Sequence, residues 1–118
     1  MSNFFIILAA GESKRFNSYI PKPYIVYKGK PIIQHSIDKA QKCKKIDKIL
    51  LVINKKHKKF IKTLNIKNLK ILYGGNTRAE SSYKAMKSIK KNKVKNVFIH
   101  DAARPDFSPE LLNRLIKE

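Results

Sequence analysis

Apolar residues fall in short continuous runs along this chain, separated by polar stretches marked with glycine and proline. Residues 4–9 are apolar at every position. That predicts a strand buried on both faces, as a parallel sheet requires. Similar runs at 49–53, 69–73 and 97–99 predict three more strands. The pattern between them is helical. Ile33, Ile37 and Ala40 share one face after Pro31, which suits the first turn of a helix. Residues 57–64 predict a short lysine-rich helix with Phe60, Ile61 and Leu64 inward. Residues 77–90 predict another, with Ser82, Ala85, Met86 and Ile89 as its apolar stripe. Ser108 and Pro109 are a cap and first position for a last helix carrying Leu111, Leu112, Leu115 and Ile116. Residues 24–27 read as a short extended piece that turns at Lys28-Gly29-Lys30.

Strand and helix therefore alternate. The expected fold is α/β: a parallel or mostly parallel sheet with helices on both faces. In such sheets ligands bind at the C-terminal strand ends. The loops after the first, third and fourth strands, rich in glycine or charge, fall there.

Composition narrows the function. The 118 residues hold 27 basic and 8 acidic side chains, a formal charge of +19. That attracts polyanions of any kind. Only Arg15, Arg78, Arg104 and Arg114 are arginines, and the lysines are scattered. There is no zinc-finger spacing, helix-turn-helix signal or single-strand-binding aromatic pattern, so no specific nucleic-acid reader is expected. The single cysteine, Cys43, excludes an internal disulfide and a cysteine metal cluster. No apolar run reaches the ~20 residues that span a bilayer. A soluble, cytoplasmic protein is expected. Nothing marks a natural end at Glu118, and the chain is expected to be part of a longer protein.

The chemistry concentrates in three loops. The first reads Ala9-Ala10-Gly11-Glu12-Ser13-Lys14-Arg15. Gly11 lets the backbone pass close to a ligand or take a positive φ, and successive N–H groups in such a turn cradle an anion. Lys14, Arg15 and Lys22 add positive charge suited to a triphosphate. The loop matches neither the nucleotide-hydrolase phosphate loop nor the dinucleotide fingerprint. Lys22 sits between Pro21 and Pro23 on stiff backbone. The second loop, Gly74-Gly75-Asn76-Thr77-Arg78, leads to Ser81. Paired glycines admit a flat base, Asn76 and Ser81 can bond its edge, and Thr77 or Asn76 can cap a helix. The third segment is His100-Asp101-Ala102-Ala103-Arg104-Pro105. A carboxylate at the end of a buried strand needs a cation or several donors, which makes Asp101 a candidate Mg²⁺ ligand. Arg104 can pair with Asp101, another carboxylate or a phosphate. His100 is expected to be packed, His35 and His57 to lie on helix surfaces, and Cys43 to be buried or idle.

These three motifs, in this order, resemble the 2-C-methyl-D-erythritol 4-phosphate cytidylyltransferase family of the non-mevalonate isoprenoid pathway. The resemblance covers essentially the whole chain but only the N-terminal half of the family's usual length. It implies a Rossmann-like nucleotidyltransferase fold, with residues 1–118 as the N-terminal, CTP-binding part of a single domain. It implies attack by a methylerythritol phosphate oxygen on the α-phosphorus of CTP, with Mg²⁺ required and pyrophosphate released. Arg15 and Lys22 match the residues that stabilise the transition state. The main chain at Ala9, Ala10 and Gly75, with the Ser81 side chain, matches the cytosine pocket, and Gly11 and Asn76 match the rest of the CTP site. Asp101 and Ala102 match positions near the ribose and metal, and Arg78 and Arg104 match supporting positions. A homodimer is implied for the full-length protein, and the 118 residues alone are expected to be poorly active. Two departures stand out: Ser13 replaces the usual second glycine, and Asn76 replaces a common aspartate. The alternatives are a ribitol 5-phosphate cytidylyltransferase, which shares these loops, and a non-catalytic basic domain that binds nucleotides or nucleic acid.

Overall fold

The computed structural model describes residues 2–11, 20–67, 69–90 and 94–102. The helix expected after Ser108, and with it Arg104 and Arg114, lies outside these residues. So does the stretch of the first loop carrying Ser13, Lys14 and Arg15.

Four parallel strands form the main sheet: β1 (Ser2–Ala9), β4 (Lys48–Ile53), β5 (Leu69–Tyr73) and β6 (Val94–Asp101), in spatial order β5-β4-β1-β6. β1 is apolar throughout because it is central, pairing with β4 on one side and β6 on the other. Its alternate side chains feed two cores. Phe5, Ile7 and Ala9 meet Ile33, Ile37 and Ala40 of α1 (Ile32–Lys42) on one face. Phe4, Ile6, Leu8 and Ala10 meet Ala85 and Ile89 of α2 (Arg78–Ile89) on the other. The parallel sheet with helices on both faces thus agrees with the reading of the sequence. Pro31 caps α1 from just outside it, and Cys43 is buried beyond its end.

The chain steps outward from β1 to β4 to β5, then returns through α2 to place β6 on the far side of β1. This reversal leaves a crevice at the C-terminal ends of β1 and β6, where open α/β sheets bind ligands. Ala9, Ala10, Asp101 and Ala102 sit at its edges.

Three expectations are corrected. Residues 24–27 are not one extended piece. Lys22–Tyr24 form a 3₁₀ turn, closed by Tyr24 N–H donating to the Pro21 carbonyl at 2.9 Å. A small hairpin follows, β2 (Val26–Tyr27) with β3 (Lys30–Pro31), joined by Lys28-Gly29, both at positive φ. The lysine-rich segment is a 3₁₀ helix over Lys55–Thr63. In a 3₁₀ helix, residues three apart eclipse, so His57 lies in line with Phe60 and is buried rather than on the surface. In α2 the inward stripe is Ser81, Ala85 and Ile89, while Met86 is 43% exposed. The helix is rotated by about one residue from the expected stripe because Ser81 turns inward to serve the site.

Tyr24 stacks on Phe60 at 5.0 Å and meets His57 edge-on at 6.0 Å between ring centroids. Burial pushes its phenol from 10.0 up to about 12, and its buried hydroxyl has no hydrogen-bond partner among the described residues. The neutral phenol is therefore favoured in the folded state. That contribution is present below pH ~10 and is lost as pH rises toward the folded value. Tyr24→Phe should leave stability near neutral pH unchanged or slightly raised, since an unsatisfied buried hydroxyl is removed. It should also flatten the alkaline loss. Urea melts at pH 7 and pH 11 check both; a clear loss at pH 7 would mean that the hydroxyl is bonded.

Candidate active site

A cleft of about 270 Å³ opens at the switch point. Ala9, Ala10 and Gly11 border it from the end of β1, Lys22 and Pro23 from the 3₁₀ turn. Gly75, Asn76, Thr77, Arg78 and Ser81 border it from the start of α2, and Asp101 and Ala102 from the end of β6. Every site residue expected from the sequence and lying among the described residues is in this one cleft.

Each wall has a local cause. Ala102 N–H donates to the Leu8 carbonyl at 2.9 Å, which carries the β1–β6 pairing up to the cleft rim. Gly74 N–H donates to the Ile53 carbonyl at 2.8 Å and ties the second loop to the end of β4. A side chain at Gly74 has no room: a Cβ there would stand 2.5 Å from both Ala10 Cβ and Ser81 Oγ. Thr77 is the N-cap of α2, and its Oγ1 accepts from Glu80 N–H at 3.1 Å. Glu80 reaches back, its Oε2 accepting from Asn76 N–H at 2.7 Å. This is a reciprocal cap shifted by one residue, and the Thr77-x-x-Glu80 spacing was present in the sequence to be read. Gly75 N–H donates to Ser81 Oγ at 3.1 Å. The Gly75 carbonyl and the Ser81 hydroxyl proton are then what this pair can offer a ligand. Among the described residues only the backbone N–H of Asn76 is taken, which leaves its side chain for a ligand.

Gly11 does not have a positive φ, and a Cβ built on it meets nothing within 4 Å. Of the two reasons expected for a glycine here, close approach of a ligand is the one that remains.

The cleft is mixed in charge. Lys22 supplies one cation from a turn held by Pro21, Pro23 and the buried Tyr24. Arg78 Nε donates to Asp101 Oδ1 at 3.1 Å, linking the second and third motifs. The sequence had offered Arg104 for pairing with Asp101; among the described residues the partner is Arg78. Both side chains are well exposed, at 64% and 40%, so the pair adds only ~0–1 kcal/mol to stability and exchanges readily for a ligand. No group of three His, Cys, Asp or Glu side chains gathers among the described residues. Asp101 is a carboxylate at the rim. It fits an ion such as Mg²⁺ that takes one or two carboxylates and completes its shell with phosphate oxygens and water. His100 packs near Phe5, with ring centroids 6.1 Å apart, and does not border the cleft. His35 lies at the α1 surface, its Nε2 2.5 Å from the Tyr27 carbonyl.

A family model for 2-C-methyl-D-erythritol 4-phosphate cytidylyltransferase matches residues 4–118. The chain belongs to that family. A bifunctional enzyme IspD/IspF of Pelagibacter ubique is 67% identical over 118 residues, all of this chain but 32% of that protein. A 2-C-methyl-D-erythritol 4-phosphate cytidylyltransferase of Clostridioides difficile is 39% identical over 117 residues, 95% of this chain and 49% of the relative. Among solved structures, the 4-diphosphocytidyl-2C-methyl-D-erythritol synthase of Anaerococcus prevotii superposes with a TM-score of 0.78 at 30% identity, covering 98% of this chain and 49% of its own. The chain thus spans about a third to a half of the length of these relatives. No helix among its described residues is long and apolar enough to cross a membrane.

Proposed function

We propose that the complete protein transfers the cytidylyl group of CTP to 2-C-methyl-D-erythritol 4-phosphate. A phosphate oxygen of the alcohol substrate attacks the α-phosphorus, the bond from that phosphorus to the β-phosphate bridge breaks, and pyrophosphate leaves. The observation that carries the reading is the convergence of the described parts of all three motifs on the switch-point cleft.

The residues divide the work by chemistry. The Gly75 carbonyl can accept from the cytosine amino group, and Ser81 can donate to the ring edge. That pairing favours cytosine over uracil, which offers no amino donor at that position. Gly11 leaves its backbone open to the triphosphate. Lys22 stands where negative charge grows on the nonbridging oxygens, and a fixed cation stabilises that charge more in the transition state than before it. Arg15 is proposed as the second cation, and Arg78 and Arg104 as support. Asp101 would hold Mg²⁺ together with phosphate oxygens, and Ala102 would border the ribose. The ion would supply charge neutralisation on the triphosphate. The protein is proposed to be cytoplasmic and, at full length, a homodimer.

The rival is a basic domain that binds polyanions without selecting them. The test is equilibrium binding of CTP, UTP and ATP to the protein from its complete reading frame, with Mg²⁺, at low and moderate salt. A clear preference for CTP that persists as salt rises is expected. Equal affinities that fall together with salt would favour the polyanion binder.

A further inference from the structure

Asn54 was not among the residues the sequence singled out. It follows β4 directly and joins two things. Its Oδ1 accepts from Lys56 N–H at 2.9 Å, capping the 3₁₀ helix. Its Nδ2 donates to the Ala10 carbonyl at 3.2 Å, across 44 positions of sequence. Since the amide carries one acceptor and one donor group, this assignment is the only one that satisfies both contacts.

The second contact has a directional effect. The peptide between Ala10 and Gly11 is trans, as are all the described peptides. In a trans peptide the carbonyl and the following N–H point opposite ways in one plane. Asn54 draws the Ala10 carbonyl toward itself, and both border a neighbouring hollow with Lys55, Lys56 and the loop from Gly74 to Asn76. Asn54 does not border the switch-point cleft, whereas Ala10 and Gly11 do. The Gly11 N–H is thereby turned away from Asn54.

We infer that Asn54 is a positioning residue for the nucleotide: by holding the Ala10 carbonyl it aims the Gly11 N–H at the phosphates of the bound nucleotide. Without the tether this peptide is not held by the Asn54 side chain, and rotation would present a carbonyl oxygen to an anion. The effect falls on phosphate recognition, because Gly75 and Ser81, which are proposed to read the base, are held to each other by their own bond. The inference rests on the CTP reading above.

The test separates the two contacts of Asn54. Serine caps a helix about as well as asparagine but is too short to reach Ala10. Asn54→Ser in the complete protein should melt like the wild type. Its Kd for pyrophosphate and for CTP should rise about tenfold, as loss of an oriented hydrogen bond to a charged group allows, while its Kd for cytidine stays unchanged. If Asn54→Ser is poorly folded, Asn54→Thr takes its place, since it keeps a cap acceptor, is equally short and adds no charge. The same split between pyrophosphate and cytidine is then expected. Unchanged pyrophosphate affinity, or equal weakening of pyrophosphate and cytidine, would overturn the inference. Wild-type cytidylyl transfer in parallel reports on the underlying reading independently: an active wild type with no split sinks only the role of Asn54.

Discussion

Lys22→Ala in the complete protein should lower kcat about 10²–10³-fold, the usual loss when one preorganised transition-state donor is removed. Lys22 borders the cleft and is partly exposed, so its removal opens no core cavity. The melting temperature should stay close to that of the wild type. Because extra charge develops as the α-phosphorus becomes five-coordinate, kcat should fall more than CTP affinity. Lys22→Arg keeps the charge but spreads it over a larger planar group and should recover only part of the rate. Steady-state kinetics with both substrates varied would show the split. A variant that lost CTP affinity alone would place Lys22 in ground-state binding instead.

Gly74→Ala should have the second largest effect, and for a different reason. The new methyl would meet Ala10 Cβ and Ser81 Oγ at 2.5 Å and Val52 Cγ1 at 3.1 Å. Ala10 and Val52 belong to the buried sheet and Ser81 to the first turn of α2, so none of these atoms is the far end of a flexible chain. Overpacking of this kind costs about 1–3 kcal/mol. Relief requires α2 to move away from β1, which separates Ser81 and Gly75 from the β1 side of the cleft. Both stability and CTP affinity should therefore fall, measured by urea denaturation and by titration. Gly11→Ala is the control: its Cβ meets nothing within 4 Å among the described residues, so stability should hold while CTP affinity falls. If Gly74→Ala bound CTP normally, the close packing around Gly74 would be irrelevant to the nucleotide.

Much of the fold was legible because burial on both faces leaves no choice of residue type. The central run from Phe4 to Ala9 could only be an inner strand, and Ile33, Ile37 and Ala40 could only face it. The site was legible for a related reason. Glycine just after a buried strand and aspartate at the end of one are costly or idle unless something binds there, and the topology gathers those strand ends at one point. What escaped depended on geometry that spacing does not encode. His57 was placed on a surface because an α-helical period was assumed, whereas the 3₁₀ period turns it inward beside Phe60. Met86 was placed in the stripe of α2 because it is apolar, whereas the helix is turned by the bond between Ser81 and Gly75. The role of Asn54 runs through a backbone carbonyl distant in sequence. Its position between a strand and a lysine run signals a helix cap, and nothing more. Arg15 and Arg104 lie outside the described residues, and their roles rest on the family resemblance.

The central claim is most directly tested by pyrophosphate release from CTP and Mg²⁺ by the protein of the complete reading frame. 2-C-methyl-D-erythritol 4-phosphate and ribitol 5-phosphate would be compared at equal concentration. Rapid release with the first and little with the second is the predicted result. Release with ribitol 5-phosphate alone, or with neither alcohol in a folded protein that still binds CTP, would contradict it.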